Sequence, residues 1–567
     1  MINMDISDLE RLVGPGFDIE QFKAEIPMIG ATVEKEEGQE IGVEFFPDRP
    51  DLFSVEGVAK AYRDLKGIST DEGPWEIEGA SDIELVVDPK IKGIRPVIGA
   101  AYIEGVDIDD RTLASIMNLQ EKLHITVGRK RRKVAIGIHD ADPIEPPFRY
   151  WAAEPEEVEF IPLQKESAWT LRKILEEHEK GVDYAWILED LDKYPIITDK
   201  HGKVLSFPPI INGELTRVSV NTRNIFVDCT GWDLNAVRLC VNIVCSQLIS
   251  RGGRLRSVKV TYPDDEYFGK MGLSTSRWPI FRWEQTDLNL DWASGWLGVD
   301  LKEHEVRSSL KKMGYRGIEV RDRNVICEVP PWRGDILHQA DISEDLAVGY
   351  GFGRFKGKEP GTYMTASERE MTSLKRMLRD SLIGMGFLEA TTISLSNEEM
   401  QFKLMERGER EHIRITNPIT TEHTMIRMSA LPSLLSLLRT NKHRDLPQRI
   451  FEIADVMVKN RNKVVLTVVS ESSKASFSEI KGVVQRILQD LDVAYLLGKA
   501  DLGCYIKGRA AALYNEGRID EHSPFPELAE EGKTPIGHFG EVDPAILSEL
   551  ELPAPVSALE LDLDLLL

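Results

Sequence analysis

Between Pro330 and Gly351 four carboxylates, Asp335, Asp341, Glu344 and Asp345, fall within eleven residues, and the spacing of the last three dictates local structure. Asp341, Glu344 and Asp345 stand at i, i+3 and i+4, so a helix places them on one face. Asp335 precedes them on a Gly-containing turn that can fold back over the helix start. Like charges this close repel, by about a few tenths of a kcal/mol for an i,i+4 pair at a surface. Two arrangements relieve the repulsion. Asp341 and Glu344 have the spacing of a capping box, and acidic residues suit a first helical turn. Alternatively, a hard cation such as Mg2+ turns the repulsion into attraction through oxygen ligands and retained waters.

At 567 residues the chain is too long for one core, and three or four domains are expected. Its 42% hydrophobic and 29% charged content is that of a globular protein. The formal charge of -24 excludes nucleic-acid binding by overall attraction, so any RNA contact is local. One basic cluster exists, Arg129 to Lys133, readable as such a contact or as a solvated loop. The five cysteines include no Cys-x-x-Cys, so neither a disulfide framework nor a zinc site follows, and a reducing compartment is expected. Asp5, Asp8 and Glu10 interrupt the amino terminus, and no run of eighteen apolar residues occurs. A cytoplasmic protein without signal peptide or membrane span is the expectation.

The fold class read from the pattern is a multidomain α+β protein. The first eighty residues suggest a small mixed domain, with strands near Ala31–Val33 and Ile41–Phe46. A helix capped by Ser54 and ended by Gly67 follows. Asp71–Pro74 reads as a linker. From Asp82 to Pro263 strands and helices alternate as in an α/β domain: strand Ile98–Ile103, helix Asp109–Leu123 and strand Val134–Ile138 ended by His139-Asp140. Helices Ser167–Lys180 and Gly231–Arg251 follow. Helix Glu303–Met313, strands Gly317–Val320 and Val325–Val329, and the acidic helix suggest a winged-helix-like module without a basic recognition helix.

The last two hundred residues open on a capping box, Ser367 to Glu370, with a stripe of Met371, Leu374, Met377, Leu378 and Leu382. Strands near Thr391–Leu395, Ile413–Thr416, Arg449–Ala454 and Val464–Val469, with a helix near Leu431–Thr440, suggest an antiparallel sheet flanked by helices. The boundaries read this way are 1–80, 81–268, 269–358 and 359–567. A weak internal echo links Pro47-Asp48-Arg49-Pro50-Asp51-Leu52 to Pro331-Trp332-Arg333-Gly334-Asp335-Ile336.

Four blocks, in order, resemble the phenylalanyl-tRNA synthetase beta chain family, in its archaeal or eukaryotic form. They are Asp48 to Ala59; Gly128 to Asp140 with Ser206 to Asn212 and Asp228 to Gly231; the acidic segment Arg333 to Gly351; and Asn417 to Arg427 with Leu431-Pro432, Asn441 and Phe451 to Ile453. Together they span nearly the whole chain. The resemblance implies a structural first domain, an editing domain, the winged-helix-like module, and a class II synthetase-like last domain without synthetase chemistry. It implies Mg2+ at Asp335, Asp341, Glu344 and Asp345. It also implies an alpha2beta2 tetramer with an alpha chain that uses ATP, and tRNA(Phe) as partner; neither DNA nor membrane is expected. The region Gly537–Asp543 agrees, offering carboxylates where an ATP phosphate needs cations. Arg427 and Arg449 are expected to pair with Glu422 and Glu452 instead.

An apolar pocket for a phenyl ring rejects a hydroxylated ring only by about 100-fold, so a second site that requires the hydroxyl is needed. The resemblance puts it at Asp228 and Thr230, with Ser206 and Asn212 as further candidates. Asp228 would accept the phenol or position water, and Thr230 would orient an ester or sugar hydroxyl. Read locally, Asp228-x-Thr230-Gly231 is also a cap for the following helix; His139 invites a general-base role, and read locally is a turn histidine after a strand. The activity expected is hydrolysis of mischarged tyrosyl-tRNA(Phe), with attachment of phenylalanine left to the alpha chain. The alternatives are a scaffold that orients tRNA, and a metal-dependent phosphohydrolase at the acidic segment.

Overall fold

The structure, a computed structural model, describes residues 1–68, 75–359, 361, 365–516 and 522–567. The chain forms two units, Met1–Glu359 and Pro360–Leu567. The expected linker at Asp71–Pro74 lies outside the described residues.

In the first unit a three-stranded antiparallel sheet sets Glu40–Phe45 between Ile2–Asp5 and Ala31–Glu37. The Val55–Lys66 helix behaves as its sequence demands. Ser54 accepts from Gly57 N, and Gly67 closes the helix at φ +68°, where a Cβ would strain the backbone. Its Glu56, with Asp8, is buried against Arg251: guanidinium nitrogens donate to Asp8 at 2.7 and 2.9 Å and to Glu56 at 2.7 Å. This ties the amino-terminal elements to the Leu234–Ser250 helix.

That helix packs on a ten-stranded mixed sheet, whose main path runs Ile211–Asn212, Val204–Phe207, Tyr194–Thr198, Phe148–Ala153, Ala80–Val87, Arg254–Thr261, Val97–Glu104, Ile225–Gly231, Val134–Asp140. Only the pairings of Ala80–Val87 with its two neighbours are parallel. The two ends of the path meet: Asn212 Nδ2 donates to Ile138 O at 3.3 Å. The sheet therefore curls around an interior. Every residue of Ile225–Gly231 is buried, as expected of a strand covered on both faces.

Three local expectations are corrected here. The helix expected from Gly231 begins at Leu234, capped by Asp233, which accepts from Ala236 N at 2.8 Å; Asp228 and Thr230 lie in the preceding strand. The Ser167–Lys180 helix is two, Leu171–Glu177 and Glu179–Tyr184, broken where His178 turns extended at ψ 135°. His139 sits inside strand Val134–Asp140, not on a turn.

Beyond this sheet, Glu284–Asn289, Asn324–Val329 and Arg316–Arg321 form an antiparallel sheet with helices Leu290–Leu297, Glu303–Lys312 and Gln339–Tyr350. The first strand and first helix went unread in the sequence. The strand exposes most of its residues, so its apolar signal is faint.

The second unit is built on a seven-stranded sheet in which only the short Leu388–Glu389 pairing is parallel. Its long hairpin joins Gln448–Val458 to Arg461–Glu471. The Ser367 capping box does not form: the helix starts at Glu370, and Arg369 provides no side-chain cap. The strand expected at Thr391–Leu395 shrinks to Leu395–Ser396, and Ile413–Thr416 to one bridge between Arg414 and Met425. Arg427 donates to buried Glu452 at 2.8 Å as expected, whereas Arg449 pairs with Glu479 at 2.9 Å rather than with Glu422 or Glu452.

Candidate active site

Antiparallel pairing of Ile225–Gly231 with Val134–Asp140 puts Asp228 opposite Gly137 and Phe226 opposite His139. Side chains alternate across a strand, so Phe226, Asp228, Gly137 and His139 share one face. That face looks into the curl of the sheet, where a cavity of about 360 Å3 opens, lined by Ala135 to Ile138, Leu163, Ser206 to Asn212, Thr216 and Asp228 among others. Its size lies in the ~300–1,000 Å3 range of small-molecule sites, and its wall has the usual mixture of apolar surface with a few polar groups.

The polar groups form one chain. His139 Nε2 lies 2.7 Å from Asp228 Oδ2, and His139 Nδ1 lies 2.8 Å from Thr216 Oγ1. Ser206 Oγ lies 3.5 Å from the same Asp228 oxygen. His139 and Thr230 are wholly buried, and Asp228, Ser206 and Thr216 nearly so. Both contacts to the Asp228 carboxylate fall on Oδ2, which leaves Oδ1 for a water or a ligand in the cavity. Asp228 and Ser206 are thus brought together, with Asn212 on the same wall.

Thr230 is placed otherwise. Its hydroxyl accepts from Arg95 Nε at 2.8 Å and its carbonyl from Arg95 Nη2 at 2.7 Å. Arg95 is buried, which pulls its guanidinium down to about 10. It also donates to the carbonyls of Arg131 and Arg132 at 3.1 Å each. Thr230 is therefore a support for the basic loop rather than part of the cavity wall.

That loop is strained. Arg129, Lys130 and Arg131 follow one another at φ +48°, +54° and +67°, each costing about 1 kcal/mol or more outside glycine. Arg131 turns inward, donates to Ile210 O at 2.8 Å, packs over Tyr184 and lines the cavity. Arg129, Lys130 and Arg132 remain exposed beside it.

The acidic segment resolves differently. Arg333 grips Asp335 through two nitrogens, at 2.8 and 2.6 Å, and reaches Asp345 Oδ2 at 2.8 Å, where Tyr315 also donates at 2.7 Å. Asp341 Oδ2 accepts from Leu337 N and His338 N, both at 2.7 Å, so the capping box that forms is His338–Asp341, one turn earlier than the expected Asp341–Glu344 pair. Glu344 is exposed; desolvation, then the charges of Asp345, Asp48, Asp341 and Asp335, raise its carboxyl. Among the described residues, no three His, Cys, Asp or Glu side chains are placed to hold one metal ion. In this arrangement the four carboxylates do not fit a shared Mg2+, because Asp335 and Asp345 are engaged by Arg333 and Asp341 by the helix start.

The internal echo gains a physical account here. Arg49 grips Asp51 with nitrogens at 2.9 and 2.7 Å, the same Arg-x-Asp clamp that Arg333 makes with Asp335. The two guanidinium groups lie close enough to repel, and both border one small cavity with Lys60 and Trp332. The two Arg-x-Asp clamps offset that repulsion, Asp335 acting on Arg49 and Arg333 on Asp51, where the acidic segment meets the amino-terminal elements.

A family profile described as the B3/4 domain matches residues 106–258, the segment holding Asp228, His139 and the cavity. The tRNA synthetase B5 domain matches 286–352, and the phenylalanyl tRNA synthetase beta chain CLM domain matches 358–563. A phenylalanine–tRNA ligase beta subunit of Methanothrix thermoacetophila is 38% identical over 566 residues, covering 100% of both chains. One from Archaeoglobus fulgidus is also 38% identical, covering 98% of this chain and 96% of the relative. Among solved structures, an N-terminal fragment of the phenylalanyl-tRNA synthetase beta subunit from Pyrococcus horikoshii is 37% identical with a TM-score of 0.58, over 62% of this chain and 99% of the fragment. With full-length identity at this level and profiles covering the cavity, the acidic segment and the last unit in order, the chain belongs to the phenylalanine–tRNA ligase beta subunit family.

Proposed function

We propose that this chain works with an alpha chain and tRNA(Phe) in a cytoplasmic alpha2beta2 ligase, and that its cavity hydrolyses tyrosyl-tRNA(Phe). Attachment of phenylalanine, with ATP, is assigned to the alpha chain. The observation that carries the hydrolytic reading is Asp228, a buried carboxylate with one free oxygen on the wall of a largely apolar cavity. A carboxylate accepts hydrogen bonds and donates none. A tyrosine ring entering the cavity satisfies it through the phenol O–H, whereas a phenylalanine ring leaves it desolvated and unpaired. An unpaired buried acceptor is costly, so a site that demands the hydroxyl rejects its absence by up to about 10^4- to 10^5-fold.

Water is the only co-reactant. Its oxygen adds to the ester carbonyl carbon, the bond to the ribose oxygen breaks, and that oxygen takes the proton. Ser206, beside Asp228, lies at the phenol end of this arrangement, and Asn212 is a further polar group on the same wall. Arg129, Lys130 and Arg132 give local positive charge beside the cavity, where the acceptor end of tRNA brings phosphates. No step is routed through a metal ion, given the geometry of the acidic segment.

The test is to supply the purified chain, alone and with an alpha chain, with tyrosyl-tRNA(Phe) and separately with phenylalanine, ATP and tRNA. The reading expects hydrolysis well above buffer in both preparations, and charging only when the alpha chain is present. Hydrolysis at the buffer rate in both would leave a scaffold that orients tRNA.

A further inference from the structure

His139 is fully buried between Asp228 and Thr216. Asp228 Oδ2, 2.7 Å from Nε2, accepts only, so Nε2 carries a hydrogen. Thr216 Oγ1 lies 2.8 Å from Nδ1 but 3.3 and 3.4 Å from the carbonyls of Gly213 and Leu205. Thr216 therefore holds the Nδ1 edge of the ring. Thr216 thus fixes one side of the ring, and the other donates its N–H to Asp228.

Resting on the tyrosyl-ester reading, we propose that His139, fixed by Thr216, is the positioning residue for Asp228. It holds Oδ2 against the strand, so that Oδ1 meets the phenol hydroxyl at a set place. The sheet is shaped around this contact. A Cβ on Gly137 would lie 2.1 Å from Asp228 Oδ2 and 2.6 Å from His139 Nε2, so only glycine leaves room for it. The other ionisable groups near the carboxylate, Arg95, Tyr150 and Cys229, are held elsewhere: Arg95 on Thr230 and the loop carbonyls, Tyr150 O–H on the Arg95 carbonyl at 2.7 Å, and Cys229 in the core on the opposite face of the strand. His139 is the one whose hydrogen bond orients the carboxylate.

The experiment measures kcat/KM for deacylation of tyrosyl- and phenylalanyl-tRNA(Phe) by the full chain and takes their ratio. A role confined to folding moves both esters together and leaves the ratio alone. His139→Leu is expected to lower the ratio about tenfold, the weight of one lost orienting hydrogen bond. His139→Gln, whose amide N–H can reach the Nε2 position, should retain the ratio within about threefold, and Thr216→Val should lower it several-fold. If His139→Leu does not fold, the Gln and Val variants decide. An unchanged ratio in Thr216→Val, or equal losses in His139→Gln and His139→Leu, overturns the inference. A wild-type chain no faster than buffer on tyrosyl-tRNA instead overturns the hydrolytic reading, and the inference with it.

Discussion

Gly137 and Thr230 separate chemistry from support at the scale of single residues. Gly137→Ala drives a methyl into Asp228 and His139, so tyrosyl-ester hydrolysis should fall at least about 100-fold, measured by deacylation of labelled tRNA. Thr230→Val should do something else. It removes an acceptor from buried Arg95, costing about 1–3 kcal/mol in unfolding free energy, while the tyrosine-to-phenylalanine ratio stays unchanged. Denaturant unfolding and the two deacylation rates check both halves. The sequence placed Asp228 and Thr230 at a helix start and His139 on a turn, whereas all three lie within strands. The reason is physical: Asp-x-Thr-Gly has the composition of a helix start, and a histidine and carboxylate buried in mid-strand satisfy each other, leaving no periodic signature.

At the scale of elements, the Leu431–Thr440 helix was legible from its apolar stripe, but its cap was not. Ala430 provides no side-chain cap; Glu560, more than a hundred residues away on strand Val556–Asp562, accepts from Ala430 N at 2.8 Å and Leu431 N at 3.2 Å. Burial pushes the Glu560 carboxyl up, but His538, Arg407 and Ser429 outweigh it and hold it down to about 2. A carboxyl depressed on folding stabilises above its ordinary value and loses that contribution as pH falls through the folded value. The second unit should therefore lose of order 3 kcal/mol between about pH 5 and pH 2, and Glu560→Gln should flatten that dependence. Hydrogen exchange of the Leu431–Thr440 amides against pH checks it. For the acidic helix, Asp341→Ala should cost about 1 kcal/mol as a lost cap, equally with and without Mg2+. A Mg2+-dependent stabilisation of the wild type that vanishes in the variant would restore the cation to that segment. Helices with local caps, such as Ser54 to Gly67, could be read directly; helices capped across the fold, and strands as polar as Glu284–Asn289, could not.

Across the whole molecule, a net charge of -24 leaves one short basic loop to meet a polyanion. Replacing Arg129, Lys130 and Arg132 with alanine should raise KM for tyrosyl-tRNA about tenfold and flatten its salt dependence, without changing the choice between the two esters. Among the described residues no helix is long and apolar enough to cross a membrane. Length and motif order made the multidomain α+β organisation readable, because each domain carries its own apolar periodicity. The curl that brings Ser206 and Asn212 to Asp228 depends on strand order, which no local pattern encodes.

The most direct measurement is the ratio of tyrosyl- to phenylalanyl-tRNA(Phe) deacylation in the wild-type chain and in Asp228→Leu. If a buried carboxylate reads the phenol hydroxyl, the ratio should fall by about 100-fold or more in the variant, as expected for losing a charge-assisted hydrogen bond. An Asp228→Leu chain that folds and keeps the wild-type ratio would contradict the account.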